Sequence, residues 1–266
     1  MSKTSTLLIT IALLAISAFT QAQQASAPTK KAAFNSTSSC AATFNTALPN
    51  FCVTENGNIE NFYYPAGYSQ IFADGYGVCD FTAPSSVSYY DVGTADSGNW
   101  QASVVTEPGG ANTFPFTIKR TTSDGIWTIT QAFSRNTVDA YIKVVITLKN
   151  NTAVARYVNM TRYVDIDADG EPSNYFDGSS DSGWGYNSAG AAFPNHGLTI
   201  RSNHSIHNFF GYNTSWVNYD PCNFHSNPSS APTQGDEAVM YVWSPSGNGF
   251  IGTGKSISVT LKYHPI

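Results

Sequence analysis

Ala140-Tyr141-Ile142-Lys143-Val144-Val145-Ile146-Thr147-Leu148-Lys149 alternates with period two. Ala140, Ile142, Val144, Ile146 and Leu148 fall on one face, and Tyr141, Lys143, Val145, Thr147 and Lys149 on the other. Successive side chains of a strand point to opposite sides, so this segment reads as a strand with one face turned to a core. Working outward, residues 126–133 read as a second strand, and Asp124-Gly125 as a type I′ turn leading back to a third at 116–120. On the other side, Asn150-Asn151-Thr152 turns the chain into a fourth strand at 153–164. The stretch 114–165 is therefore expected to be a four-strand antiparallel meander. Similar runs at 58–64, 87–92, 100–106, 197–202, 206–212, 238–243 and 256–263 bring the total to about eleven strands. The expected fold class is all-β: a large antiparallel two-sheet β-sandwich, with almost no helix and a closed barrel as the alternative.

The first 22 residues read as a signal peptide. Lys3 supplies a basic start, residues 7–19 an apolar run, and Thr20-Gln21-Ala22 a small-residue cleavage pattern. The run is shorter than the roughly 20 apolar residues of a comfortable membrane span. An uncleaved anchor is the rival reading; export to the periplasm or medium is preferred. Residues 23–38, rich in Ala, Gln, Ser, Thr, Pro and Lys, are read as a disordered leader, and 39–266 as one β-sandwich domain.

The four cysteines, Cys40, Cys52, Cys79 and Cys222, form an even count in a chain read as exported, which implies two disulfides. Three pairings can be drawn; Cys40–Cys52 with Cys79–Cys222 is preferred. With Lys3 removed, thirteen Lys and Arg become twelve against eighteen acids, a net charge of −6 where the whole chain has −5. That excess argues against nucleic acid or anionic membrane as partner, since both select basic faces. Only 12% of residues are charged and 14% are aromatic, so the surface is rich in uncharged hydrogen-bonding groups, as suits a neutral polysaccharide or cell-surface glycan.

Six of the eighteen acids lie between residues 165 and 181, with no Lys or Arg among them. Asp165, Asp167 and Asp169 alternate and are followed by Gly170, a spacing that lets a chain curl around a hard cation such as Ca²⁺. An EF-hand needs Glu at the twelfth loop position; Phe176 stands there. Asp177 and Asp181 are the candidates to complete a shell supplied by Asp165, Asp167 and Asp169, and the ion's expected role is structural. Residues 165–195, the longest break in strand pattern, are expected to form an irregular loop at the rim of the sandwich.

Tyr175, Trp184, Tyr186 and Trp216 lie in Gly/Ser/Asn-rich segments and are candidates for stacking on pyranose rings; the alternative is that they plug the sandwich ends. Gly249 to Ser256 matches the phosphate-loop pattern GxxxxGKS, but Ile257, Val259, Leu261 and Tyr263 alternate as a strand where that motif needs a helix. No nucleotide is expected. His204 and His207 fall on opposite faces of a strand-like segment, while His196, His225 and His264 stand alone. No HExxH or GxSxG is present, so neither a zinc protease nor an α/β-hydrolase is supported. Glu55, Glu60, Glu107, Asp236 and Glu237 could serve a glycosidase only if folding paired two of them. A mutarotase-type acid/base site has only His196, His207 and Glu237 to draw on.

Asn56-Gly57-Asn58-Ile59-Glu60-Asn61-Phe62-Tyr63-Tyr64-Pro65, followed by Phe72-Ala73-Asp74-Gly75, resembles the opening of the N-terminal super-sandwich domain of bacterial glucoamylases. The paired segments Ile129-Thr130-Gln131-Ala132-Phe133 and Val144-Val145-Ile146-Thr147-Leu148-Lys149-Asn150 are similar to strands of that domain. The resemblance covers residues 52–165 and implies a galactose-mutarotase-like architecture and sugar contact. It carries over no catalytic residue, and no segment here has the pattern of the α/α barrel that performs hydrolysis in those enzymes. The expected function is an exported, non-catalytic carbohydrate-binding or cell-surface module. A carbohydrate-active hydrolase, lyase or epimerase on the same scaffold and a structural or adhesive protein are the alternatives.

Overall fold

The computed structural model describes residues 39–82, 84–93, 95–179, 181–187, 196–203, 208–213, 220–223, 233–244 and 249–266. Residues 1–22 and 23–38, read above as signal peptide and leader, lie outside the described residues, as do Trp216, His204, His207 and His225. In chain order the strands are β1 (Cys40–Phe44), β2 (Asn50–Thr54), β3 (Ile59–Tyr63), β4 (Ala73–Asp80), β5 (Val87–Val92), β6 (Ala95–Asp96) and β7 (Val104–Thr106). There follow β8 (Phe116–Thr121), β9 (Trp127–Asn136), β10 (Tyr141–Asn150), β11 (Arg156–Asp165), a 3₁₀ turn (Ala168–Gly170), β12 (Asn174–Gly178) and β13 (Ser182–Tyr186). The last are β14 (Gly197–Ser202), β15 (Asn208–Asn213), β16 (Thr233–Gly235), β17 (Ala238–Trp243), β18 (Phe250–Ile251) and β19 (Ser256–Pro265). Among the described residues no helix is long and apolar enough to cross a membrane.

Two antiparallel sheets carry the core. One has the order β16-β12-β13-β14-β19-β10-β9-β8-β7, the other β15-β17-β11-β4-β5-β6. The alternation read in β10 is the packing rule of the first sheet: Ile142, Val144, Ile146 and Leu148 are fully buried, together with Phe133 and Ile129 on β9 and Val259, Leu261 and Tyr263 on β19. Val78 on β4, Val158, Met160 and Val164 on β11, and Val239 and Tyr241 on β17 belong to the same apolar cluster from the facing sheet. The small sheet β1-β2-β3 adds Phe44, Phe51, Val53, Ile59 and Phe62 to it. Phe44 also stacks on Phe51 and Phe114 at 4.9 and 4.2 Å, and the Cys40–Cys52 disulfide ties β1 to β2.

The expected four-strand meander is a three-strand one. β8, β9 and β10 are neighbours, but β11 lies in the facing sheet between β4 and β17. β10 already has β9 on one edge and β19 on the other, so the chain beyond Asn150 has no edge to pair with and crosses over. Asn150 steadies the crossing: its buried Nδ2 donates to the carbonyls of Val154 and Ile251 at 2.7 and 3.2 Å. The turn at Asp124-Gly125 is not type I′. Only Gly125 has positive φ (76°), whereas type I′ needs it at both central residues. Asp124 instead accepts hydrogen bonds from Thr122 Oγ1 (2.6 Å) and the Ile126 N–H (3.0 Å), closing a longer turn.

Charges are buried between the sheets. Arg162 and Asp74 form an ion pair with neither side chain exposed. Arg162 Nε donates to Tyr263 Oη at 2.6 Å and its Nη1 to Gln131 Oε1 at 2.5 Å, while Asp74 accepts the Ile59 N–H at 2.6 Å. Burial alone would lower the Arg162 pKa, but the field of Asp74 holds it above its ordinary value, so the guanidinium stays charged. A second cluster joins Arg120 to Asp91 at 2.7 Å, with Asn56 and Asn58 donating to the same carboxylate. Asn56, Gly57, Asn58 and Asp74, all within the super-sandwich-like segments, thus serve the buried charges; Gly57 contributes its carbonyl to Arg162. Gly57 has φ 93°, and a Cβ there would lie 2.1 Å from Gln131 Nε2, so any other residue would strain the backbone and push the Gln131 amide aside.

The acidic segment is not a loop at the rim. Asp165, Ile166, Asp167 and Ala168 are buried, and Asn174–Gly178 pairs antiparallel with Ser182–Tyr186, β12 with β13, extending the first sheet. Period-two patterning is hidden there because Gly178, Gly183 and Gly185 occupy positions where alternation expects side chains. Buried Asn174 organises the turn: its Oδ1 accepts the Ala168 N–H (3.2 Å), and its Nδ2 donates to the carbonyls of Ile166 (3.0 Å) and Glu171 (2.6 Å).

Candidate functional site

The outward side chains of β12, β13, β14 and β19 form one continuous face. Phe176, Leu198, Ile200, Leu261 and Tyr263 point inward and are fully buried. Their sequence neighbours Tyr175, Asp177, Thr199, Arg201, Lys262 and His264 therefore point outward, as do Trp184 and Tyr186, which flank the buried Gly185 and pair with Asp177 and Tyr175. The register places Asp177 opposite Trp184, Trp184 opposite Thr199, and Thr199 opposite His264, a single row across four strands. Tyr175 lies opposite Tyr186, with the rings stacked at 5.7 Å and 22°. All three aromatic rings are half-buried, so their faces are partly open.

Next to the aromatic rings lies a cleft of about 600 Å³, lined by residues that include Tyr141, Asp181, Thr199, Arg201, Lys262 and His264. Lys262 Nζ sits 4.6 Å from the Tyr141 ring centre, and Arg201 reaches Asp181 at 3.6 Å. Hydrogen bonds from Ser179 and Ser182, with Arg201 nearby, hold the Asp181 carboxyl below its ordinary value. His264 has no carboxylate within 4.0 Å among the described residues. The lining offers donors and acceptors of both charges beside aromatic surface, which suits a polar ring-shaped ligand.

The five carboxylates expected to share an ion part company. Asp165 and Asp167 converge with Asp236, each offering an oxygen within 4.8 Å of the others. Asp169 has left-handed φ (58°) and turns away, accepting from Gln70 Nε2 at 2.8 Å and Asn187 Nδ2 at 2.5 Å, with His196 Nδ1 at 3.5 Å. Asp177 accepts the N–H of Gly178 at 2.7 Å on the outer sheet face, and Asp181 belongs to the cleft. Asp236 was legible only as a loose carboxylate, because the strand pairing that brings it beside Asp165 spans some seventy residues of chain. Glu237 is buried with Oε2 accepting from Thr233 Oγ1 at 2.6 Å, while His196 faces Asp169, so these two form no acid/base pair. The GxxxxGKS segment turns at Gly252–Lys255 and enters β19, leaving no helix N-terminus to face a phosphate. Arg201 and Lys262 carry no signal in the sequence, where each is one more outward residue of an alternating run, and His264, which stands alone there, is brought to the same cleft.

No protein-family model matches the chain, and no curated protein matches it. Among solved structures, a bacterial glucoamylase complexed with acarbose is similar over 90% of this chain, with a TM-score of 0.63 at 10% identity. A family GH92 α-mannosidase from Bacteroides thetaiotaomicron, in complex with mannoimidazole, matches over 85% of this chain and 31% of its own, with a TM-score of 0.29 at 9% identity. This chain spans 34% of the glucoamylase chain. The likeness to glucoamylase is one of fold, and it agrees with the resemblance carried by Asn56–Pro65 and Phe72–Gly75.

Proposed function

We propose that the protein is an exported, non-catalytic glycan-binding β-sandwich whose binding face is the outer side of the larger sheet. The observation that carries this reading is the grouping of Tyr175, Trp184 and Tyr186 on one face beside the polar cleft. Pyranose rings have apolar C–H faces that pack on aromatic rings and hydroxyls that need both donors and acceptors. The glucoamylase neighbour, itself complexed with acarbose, supports the same direction. Trp184→Ala is expected to weaken binding of the best ligand on a glycan array by about tenfold or more, as loss of an aromatic anchor does. Isothermal titration calorimetry measures it. An array blank for the wild type, or equal affinity for Trp184→Ala, rejects the reading.

We also propose a structural Ca²⁺ held by Asp165, Asp167 and Asp236. Its support is the convergence of three carboxylates, two of them buried, each offering an oxygen close enough to the others for one hard cation to bridge them. The chain around them supplies order without an ion through Asn174, so the ion adds stability and is not needed to shape the turn. Calcium at a hundredfold above its Kd should raise Tm by roughly 5–10 °C over chelated protein. Asp167→Asn should abolish that difference. Identical melting curves in chelator and in calcium contradict the proposal.

A further inference from the structure

We infer that the glycan recognised by this face is acidic, carrying carboxylate or sulfate-ester groups on its rings; the inference rests on the glycan-binding reading. The observation is a row of three cations. Lys143 on β10 lies directly opposite Lys262 on β19, and Lys262 directly opposite Arg201 on β14. All three point to the outer face, since Ile142, Val144, Leu261, Tyr263 and Ile200 beside them are buried inward. Like charges directly opposite on neighbouring strands disfavour the pairing. The chain has only thirteen Lys and Arg against eighteen acids, so three cations in consecutive register is a concentration against the trend of the molecule.

The neighbours do not cancel the row. Arg201 shares Asp181 at 3.6 Å, but among the described residues neither Lys143 nor Lys262 has a carboxylate within 4.0 Å. Lys262 rests on the Tyr141 ring, which orients the ammonium while leaving its charge uncompensated. Asp139 and Asp181 are the acids of the cleft, and they stand against Lys262, Arg201 and the adjoining Lys143. The row also borders the aromatic patch: Thr199, two residues before Arg201 on β14, is opposite Trp184. A sugar ring on Trp184 would present its substituents toward Arg201 and Lys262. Arg and Lys donate charge-assisted hydrogen bonds to carboxylate and sulfate oxygens, and that chemistry fits the row.

The test is affinity electrophoresis of the full exported protein in gels containing polygalacturonate, dextran sulfate, neutral dextran, neutral amylose or polyglutamate. Retardation by polygalacturonate or dextran sulfate beyond that by the neutral polymers is expected, and which of the two prevails identifies the anionic group. Arg201→Gln with Lys262→Gln should weaken it by at least about tenfold, and raised salt should weaken it further. Arg201→Gln with Lys143→Gln, which leaves the Tyr141 contact intact, gives the same readout if the first pair folds poorly. Neutral polymers binding as tightly as acidic ones, or charge variants binding like wild type, overturn the inference while leaving glycan binding in place. Equal retardation by polyglutamate overturns it as mere ion exchange. Retardation by no glycan overturns both readings.

Discussion

Arg162→Met is expected to destabilise the domain by about 3–5 kcal/mol, the range for breaking a buried ion pair from one side. The reason lies in what stays behind. Asp74 would keep only the Ile59 N–H and the Tyr263 hydroxyl as donors, with its side chain fully buried. Gln131 Oε1 and the Gly57 carbonyl would lose their donor as well. Removing both charges together, Arg162→Met with Asp74→Leu, should be milder than the single change, because no uncompensated charge remains. The double variant still orphans the Ile59 N–H, a defect of about 1–3 kcal/mol. Urea unfolding of the three proteins measures the difference. A single variant within about 1 kcal/mol of wild type would mean the buried pair does not organise the centre of the sandwich.

The Cys79–Cys222 bridge should be the next largest contributor. It closes a separation of 143 residues, and the chain-entropy relation for such a loop gives roughly 5 kcal/mol at 25 °C, of which measured cases often deliver less. The bridge has a local task too. Cys79 points to the outer side of the second sheet, where the segment around Pro221 packs so closely that a Cβ on Gly77 would lie 2.8 Å from Pro221 Cγ. Ser88 Oγ donates to Asp220 Oδ1 at 2.5 Å in the same place. Cys79→Ser with Cys222→Ser should therefore lower Tm by roughly 6–15 °C and speed proteolysis near residue 220. Cys40→Ser with Cys52→Ser, closing a separation of only 12 residues, should cost less. Equal losses from the two pairs would contradict this ranking.

How far the sequence was legible depended on alternation. Strands β5, β14 and β17 are found at the bounds read from the sequence, because their apolar and polar residues alternate or run continuously between clear turns. β4 was missed because Gly75 and Gly77 hold its outer face, where the neighbouring strand and Pro221 come too close for a side chain. The same device hid β12 and β13, and with them the sheet that presents Tyr175, Trp184 and Tyr186 together. The aromatic candidates could be named one by one, but their common face depends on register between strands. Register also explains why the row of Lys143, Lys262 and Arg201 is not legible in the sequence: they lie 119 and 61 residues apart along the chain, yet they are side by side in the sheet. The DxDxDG run is legible only in part: Asp169, with left-handed φ, turns to Gln70 and Asn187, and Asp236 lies beside Asp165 and Asp167 instead.

Hydroxyl-radical footprinting of the protein, alone and saturated with the strongest glycan from the array, tests the binding face most directly. Tyr175, Trp184 and Tyr186 should lose reactivity on binding, while Tyr157, 42% exposed and remote in the sheet order, should keep it. Unchanged reactivity at Trp184 and Tyr186, with protection at Tyr157 instead, would contradict the assignment of the outer face of the larger sheet.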